Sequence, residues 1–217
     1  MTTKPILTLG AGAVLLALSL AGCASKPPQP SWKSNAAGAL EAFSDAYLKG
    51  DSGVAEAEFA RARAALASTG RADLVAHAEL VRCATLVAAL ELAGCPRFDA
   101  LAQDATPAER SYAAYLAGRW QGLDLAQLPE QHRAVAAGGT KVDAIADPLA
   151  RLVAAGTLLE TARIDPAGIA VATETASAQG WRRPLLMWLG VARQRAQAAG
   201  DAAEAARIQR RIDLAGQ

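Results

Sequence analysis

ADLVAHAELVRCATLVAAL, Ala72 to Leu90, places apolar side chains on most of its surface: Leu74, Ala78, Val81 and Val87 fall on overlapping faces at helical spacing. A helix that is apolar on nearly all sides must be enclosed by neighbours. The stretch therefore predicts the central, most buried helix of an all-α domain, and the segments on either side of it should supply the helices that cover it.

Upstream, Ala36, Leu40, Phe43 and Tyr47 form one stripe, stopped by Gly50 and restarted by Asp51 as an N-cap. Ala55, Phe59, Ala62 and Leu66 form the next, stopped at Gly70. Downstream, Pro96 announces a short helical turn carrying Phe98 and Leu101. Thr106-Pro107-Ala108-Glu109 then combines a capping threonine, proline at the first helical position and glutamate at the third. It opens a helix with Tyr112, Tyr115 and Leu116 that is expected to end near Trp120. Gln121 to Thr140, with Pro129 and Gly138-Gly139, reads as a looser connection.

Asp147-Pro148, Asp165-Pro166 and Gly200-Asp201 mark three more starts by the same cap chemistry, the last with Glu204 at the capping-box position. Trp181 and Trp188 precede a final helix that carries Ala205, Ile208, Ile212 and Ala215 on one side and arginines on the other. Alanine is abundant and aromatic residues make up 5% of the chain, a profile that suits closely packed helices. Strand alternation and Asn-Gly or Asp-Gly hairpin turns are missing from the sequence. The fold class is all-α, about nine or ten antiparallel helices joined by short loops.

Gly50, Ala55, Phe59 and Ala62 resemble the second half of a tetratricopeptide repeat, which places a glycine, a small residue, an aromatic and a small residue at those spacings. Leu189-Gly190 and then Gly200, Ala205 and Ile208 echo the pattern more weakly. No run shows the full first-helix pattern, and the interval between the two matches is not a clean multiple of the repeat length. The resemblance implies irregular antiparallel helical hairpins, and two arrangements of them stay open: a tetratricopeptide-like array or a plain helical bundle.

The N-terminus has a separate logic. Met1 to Lys4 form a short basic region, and Ile6 to Ala21 is apolar without a charged residue. A spanning helix needs about 20 apolar residues, so the shorter run reads as a secretory signal rather than an anchor helix. Leu20-Ala21-Gly22-Cys23 resembles the lipobox of bacterial lipoproteins. That resemblance implies a signal peptide over 1–22, removed in front of Cys23, and lipidation of Cys23 on its thiol and new amino group. A buried methylene is worth about 0.8 kcal/mol and stable attachment takes two chains, so a triacylated Cys23 would be a permanent anchor. Ala24, where an aspartate retains such proteins in the inner membrane, implies the outer membrane, on its periplasmic face. Residues 23–34 read as a lipidated, proline-containing tether, with Trp32 either at the membrane interface or docked on the domain. Residues 35–217 read as a single helical domain.

Of the 22 basic side chains only Lys4 falls within 1–22, which leaves 21 against 21 acidic ones; that balance implies no nucleic-acid partner. Positions 35–130 hold eight basic and thirteen acidic residues, whereas 181–217 hold seven arginines and three acids. The asymmetry reads either as two solvated faces of different sign or as a basic C-terminal surface for an acidic partner.

The sequence holds no Gly-x-Ser-x-Gly, His-Glu-x-x-His, phosphate-loop or dinucleotide fingerprint. No catalytic residue, metal ligand or cofactor is assigned. His77, beside Glu79 and near Arg82, reads as a hydrogen-bonded, partly buried histidine, and His132 falls in the loose connection with no evident role. With Cys23 acylated, Cys83 and Cys95 remain in an oxidising compartment, an even count that suits one disulfide. An unbroken helix would hold them roughly 18 Å apart, and a bridge needs Cα atoms about 4.4–6.8 Å apart. The bond thus requires the helix to end near Leu90 and the chain to fold back through Gly94 and Pro96; the alternative is two separate thiols, with Cys83 packed as a small hydrophobe.

These features lead to an expectation of a non-catalytic lipoprotein, attached to the outer membrane through Cys23, whose helical domain binds another envelope protein. The competing expectation is a cell-envelope enzyme, or enzyme subunit, that uses carboxylates as acid and base; a third is a binder of a small ligand in an apolar cavity near the tryptophans.

Overall fold

A computed structural model describes residues 30–217, and residues 31–217 form one compact unit. The expected signal peptide over 1–22, the lipobox-like stretch Leu20-Ala21-Gly22-Cys23 and the first part of the expected tether lie outside the described residues. Ten α-helices are present among them: α1 (Ser31–Lys49), α2 (Ser52–Ala67), α3 (Ala72–Ala88), α4 (Pro96–Asp99), α5 (Pro107–Leu116), α6 (Glu130–Ala136), α7 (Pro148–Glu160), α8 (Pro166–Ala178), α9 (Arg182–Ala198) and α10 (Ala202–Ala215). A 3-10 turn spans Leu125–Gln127. No strand occurs among the described residues. The all-α class stands.

The helix starts follow local cap chemistry. Asp51, Asp147, Asp165 and Asp201 each accept a backbone N–H from the residue three positions on, at 3.2, 2.7, 2.7 and 2.9 Å. Thr106 and Glu109 form the full capping box at the start of α5. Each such cap is worth about 1 kcal/mol. The hairpins α1–α2 and α9–α10 share one turn: Gly50 (φ +96°) and Gly200 (φ +73°) take the left-handed conformation. Asp51 and Asp201 donate back to the carbonyls of Ala46 and Ala196 before capping the next helix.

α3 is the central helix, with ten of its residues buried, and it packs on α1, α2, α4, α5 and α7. Its closest neighbour is α7. Gly156 of α7 faces Val87 so tightly that a Cβ on it would stand 2.5 Å from the Val87 carbonyl oxygen. α7 continues to α8 and α8 to α9, and α9 returns to α1. Arg183 fixes that return: its Nε donates to the Tyr47 carbonyl at 2.7 Å, its Nη2 donates to Ser52 Oγ at 2.7 Å, and its guanidinium lies 4.1 Å from the Tyr47 ring centroid. The hairpins therefore close into a bundle around one core rather than continuing as an open array.

Three boundaries differ from the sequence reading. α1 begins at Ser31, inside the tether expected over 23–34, because Trp32 extends the stripe of Ala36, Leu40 and Phe43 by one turn and packs, partly buried, against the core. α5 ends at Leu116 rather than near Trp120. Gly118 (φ +68°) turns the chain, and Trp120 folds back so that its Nε1 donates to the Tyr115 carbonyl at 2.9 Å. The connection Gln121 to Thr140 is more ordered than expected, since it contains the 3-10 turn and α6.

α3 stops at Ala88 and Leu90 takes φ +62°. The chain folds back and sets the Cα atoms of Cys83 and Cys95 5.5 Å apart, with their sulfurs at bonding distance. Non-reducing peptide mapping of protein isolated without reductant should return the Cys83 and Cys95 peptides joined, and reduction should cost about 2–3 kcal/mol of stability for so short a loop. Gly156→Ala gains helix propensity yet should destabilise by about 1–3 kcal/mol, because the added methyl forces α3 and α7 apart. Urea unfolding decides it: a neutral or stabilising result would refute the close crossing.

Candidate functional site

The described surface has two features with the shape of a site. The first lies between α3, α5, α6 and α7. A hollow of ≈ 220 Å³ and another of ≈ 380 Å³ share His77, Leu80 and Tyr112 on their borders. The smaller continues along Val81, Ala84, Leu149 and Val153 to His132 and Asp147. The larger continues past Glu109 to Leu128, Pro129 and Arg133. The walls are apolar and the polar groups are few, which is the general character of a small-molecule site.

His77 stands at the junction. Its side chain is 57% exposed, and its Nδ1 lies 3.0 Å from Glu109 Oε1; the neighbours Glu79 and Arg82 turn elsewhere, to Arg63 and Glu56. Burial works to raise the Glu109 carboxyl, but hydrogen bonds from the Thr106 backbone and hydroxyl and from His77 outweigh it and hold the group below the usual carboxylate range.

Behind the cleft, His132 is 1% exposed. Its ring packs against two neighbouring aromatics, with centroids 5.4 Å from Tyr112 and 5.1 Å from Tyr115, which are themselves 6.1 Å apart. Nε2 lies 3.4 Å from the Tyr112 hydroxyl and Nδ1 lies 3.4 Å from the Tyr115 hydroxyl. Burial pushes its imidazole down to about 4, against an opposing pull from Asp147, and burial raises both tyrosines well above their ordinary value. The sequence reading gave His132 no role. Its one local signal was the proline at 129, at the N-cap of α6; its partners sit 17 and 20 positions away.

The second feature is a groove of ≈ 470 Å³ floored by α9 and walled by α8 and α10. Ile169, Leu189, Ala192, Ala196 and Ile208 supply an apolar bed. Its charged rim is internally matched. Arg207 pairs with Glu204 at 2.6 Å, Arg211 reaches across from α10 to Glu174 of α8 at 3.3 Å, and Arg195 donates to the Ile164 carbonyl at 3.0 Å. None of these carboxylates is held as an acid–base pair.

The structure unites Cys83 with Cys95 and brings His77 and His132 to the same hollow. Among the described residues no three His, Cys, Asp or Glu side chains converge as a metal site. No protein-family model matches the chain, and no curated protein or solved structure matches it.

The buried His132 makes stability depend on pH. The unfolded chain takes up a proton near pH 6.5, whereas the folded chain refuses it until about pH 4. The stability tied to the neutral ring is present above pH 6.5 and is lost as pH falls from there to about 4, by up to about 3 kcal/mol. Urea unfolding at a series of pH values should show that decline, and His132→Gln should flatten it; a slope unchanged in the variant would contradict a buried neutral imidazole.

Proposed function

We propose that the protein is a lipid-anchored envelope protein, held to the periplasmic face of the outer membrane by acylated Cys23, whose helical bundle docks another envelope protein. The observation that carries the reading is the lipobox Leu20-Ala21-Gly22-Cys23 behind an uncharged apolar run. Between Cys23 and the first residue of α1 the chain has seven residues, 24 to 30. Fully extended, that span reaches at most ~30 Å, so the anchor would keep the domain near the bilayer.

The groove across α8, α9 and α10 supports docking over catalysis. It is open and apolar along its floor, its alanines allow a close approach of partner side chains, and its carboxylates are committed to arginines or to the α10 cap. The enzyme reading has a narrower support, the pairing of His77 with Glu109 beside a hollow.

Two substitutions separate anchoring from docking. Cys23→Ala should move the protein from the membrane fraction to the soluble periplasm. Ala196→Trp should leave it membrane-bound but fill the groove, and should remove from an affinity capture a specific envelope protein that the native chain retains. Membrane attachment unchanged in Cys23→Ala would end the lipoprotein reading, and an identical captured set with Ala196→Trp would end the assignment of the groove.

A further inference from the structure

Five helices end in the same turn, with a glycine in the left-handed conformation: Gly50, Gly118, Gly138, Gly180 and Gly200. In each, the glycine N–H donates to the carbonyl three positions back and the next residue donates to the carbonyl five positions back. α3 ends in this turn as well. Leu90 donates to the Val87 carbonyl and Glu91 to the Leu86 carbonyl, both at 3.0 Å. Here leucine stands where glycine stands elsewhere, at φ +62°, and its side chain meets a steric clash that glycine avoids. Ala162 (φ +54°) holds the same position after α7, but there Asp165-Pro166 starts the next helix at once and no helical run is interrupted.

The sequence beyond α3 does not itself stop the helix. Ala88-Ala89-Leu90-Glu91-Leu92-Ala93 consists of strong helix formers, and the chain's usual terminator comes only at Gly94, with Pro96 behind it. In a continued helix Leu90 falls in line with the buried Cys83 and Val87, and Leu92 with the buried Thr85 and Ala88. The apolar face would persist. What enforces the earlier stop is the bond between Cys83 and Cys95, whose Cα atoms lie 5.5 Å apart. A helix run on to Ala93 puts that residue about 15 Å along the axis from Cys83. Two further residues recover at most about 7 Å, which leaves the cysteines about 8 Å apart, outside the roughly 4.4–6.8 Å that a bridge allows. Bridge and continued helix exclude each other.

We propose that the Cys83–Cys95 bond is a redox-controlled stop on α3: bonded, the helix ends at Ala88; reduced, it runs on to Ala93 and ends at Gly94. A dithiol reductant supplies the electrons. One of its thiolates attacks Cys95 Sγ, Cys83 leaves as a thiolate and takes a proton, and the second thiol attacks the mixed disulfide. Cys95 is released as a thiol and the reductant is left as its own disulfide. Both cysteines border a hollow of ≈ 140 Å³ between α3 and α4, which gives a small dithiol its approach. The change is carried further by Glu91, which accepts from the Tyr47 hydroxyl and lies 3.9 Å from Arg183. When Glu91 turns with the lengthened helix, the α1–α9 closure loses that support. The inference does not depend on the lipid anchor or on the α8–α10 groove.

The test is NMR of the isotope-labelled full chain in non-ionic detergent, before and after reduction with dithiothreitol. Hα-to-amide contacts from Ala89 to Leu92 and from Leu90 to Ala93, absent in the bonded form, should appear on reduction, and the Cα shifts of Ala89 to Ala93 should become helical. A Cys83→Ser, Cys95→Ser double variant should show the same contacts without reductant. A second measurement reads the bond itself, by alkylation of the Cys83 and Cys95 peptides in buffers of graded dithiothreitol redox ratio. Leu90→Gly should favour the bond by roughly tenfold, because glycine removes the left-handed clash and weakens the competing helix. A Leu90 turn that survives reduction, a reduced segment without the helical contacts, or a bond equilibrium unchanged in Leu90→Gly would overturn the proposal.

Discussion

The contact on which the bundle depends is the crossing of α3 and α7 at Val87 and Gly156, where the helix backbones touch with no side chain between them. Such an approach removes the space a larger residue would need and lets Leu152, Val153, Ala155 and Leu158 of α7 bury fully. It also sets where the helices separate. The smaller hollow is bordered by His77, Leu80, Val81 and Ala84 of α3 and by Leu149, Ala150 and Val153 of α7, all N-terminal to the touching residues. At 1.5 Å of rise per residue, His77 lies about 15 Å along α3 from the crossing. The cleft lies N-terminal to the crossing on both helices, and residues of α5 and α6 border it.

Closure on the other side rests on one arginine. Arg183 at the start of α9 joins the end of α1, the α1–α2 turn and the Tyr47 ring, and Tyr47 in turn donates to Glu91 just beyond α3. Helical hairpins stacked without this return would expose a continuous concave face. With it, Trp188 of α9 is fully enclosed, and an open groove survives at α8–α10, where α10 packs on α9 and reaches α8 through Arg211 and Glu174.

What could be read from the sequence follows the range of the interactions. Asp51, Thr106, Asp147, Asp165 and Asp201 act on backbone atoms two to four positions away, so their helix starts were legible from spacing. The enclosed character of α3 was legible because its own residues carry it. The fold-back that joins Cys83 to Cys95 was legible as a condition, since Gly94 and Pro96 permit it, although its execution relies on Leu90 in a left-handed conformation that leucine disfavours. Trp32 was one period upstream of a stripe already recognised, and the prolines before it masked the continuation. The site was mostly illegible. His77 finds Glu109 from 32 positions away, and His132 is buried by residues of α5, not by any pattern in α6. Tertiary contacts between short elements leave no periodic trace.

The buried imidazole of His132 between the hydroxyls of Tyr112 and Tyr115 is also the least expected part of the interior. An alanine-rich bundle can be filled with apolar side chains, and replacing a buried polar network by well-packed apolar groups is often neutral or stabilising. A partly satisfied network is worse than either. Here each ring nitrogen of His132 has a phenol hydroxyl as its partner, so the buried imidazole is met on both of its polar atoms and the network stops at Tyr112 on the border of the cleft.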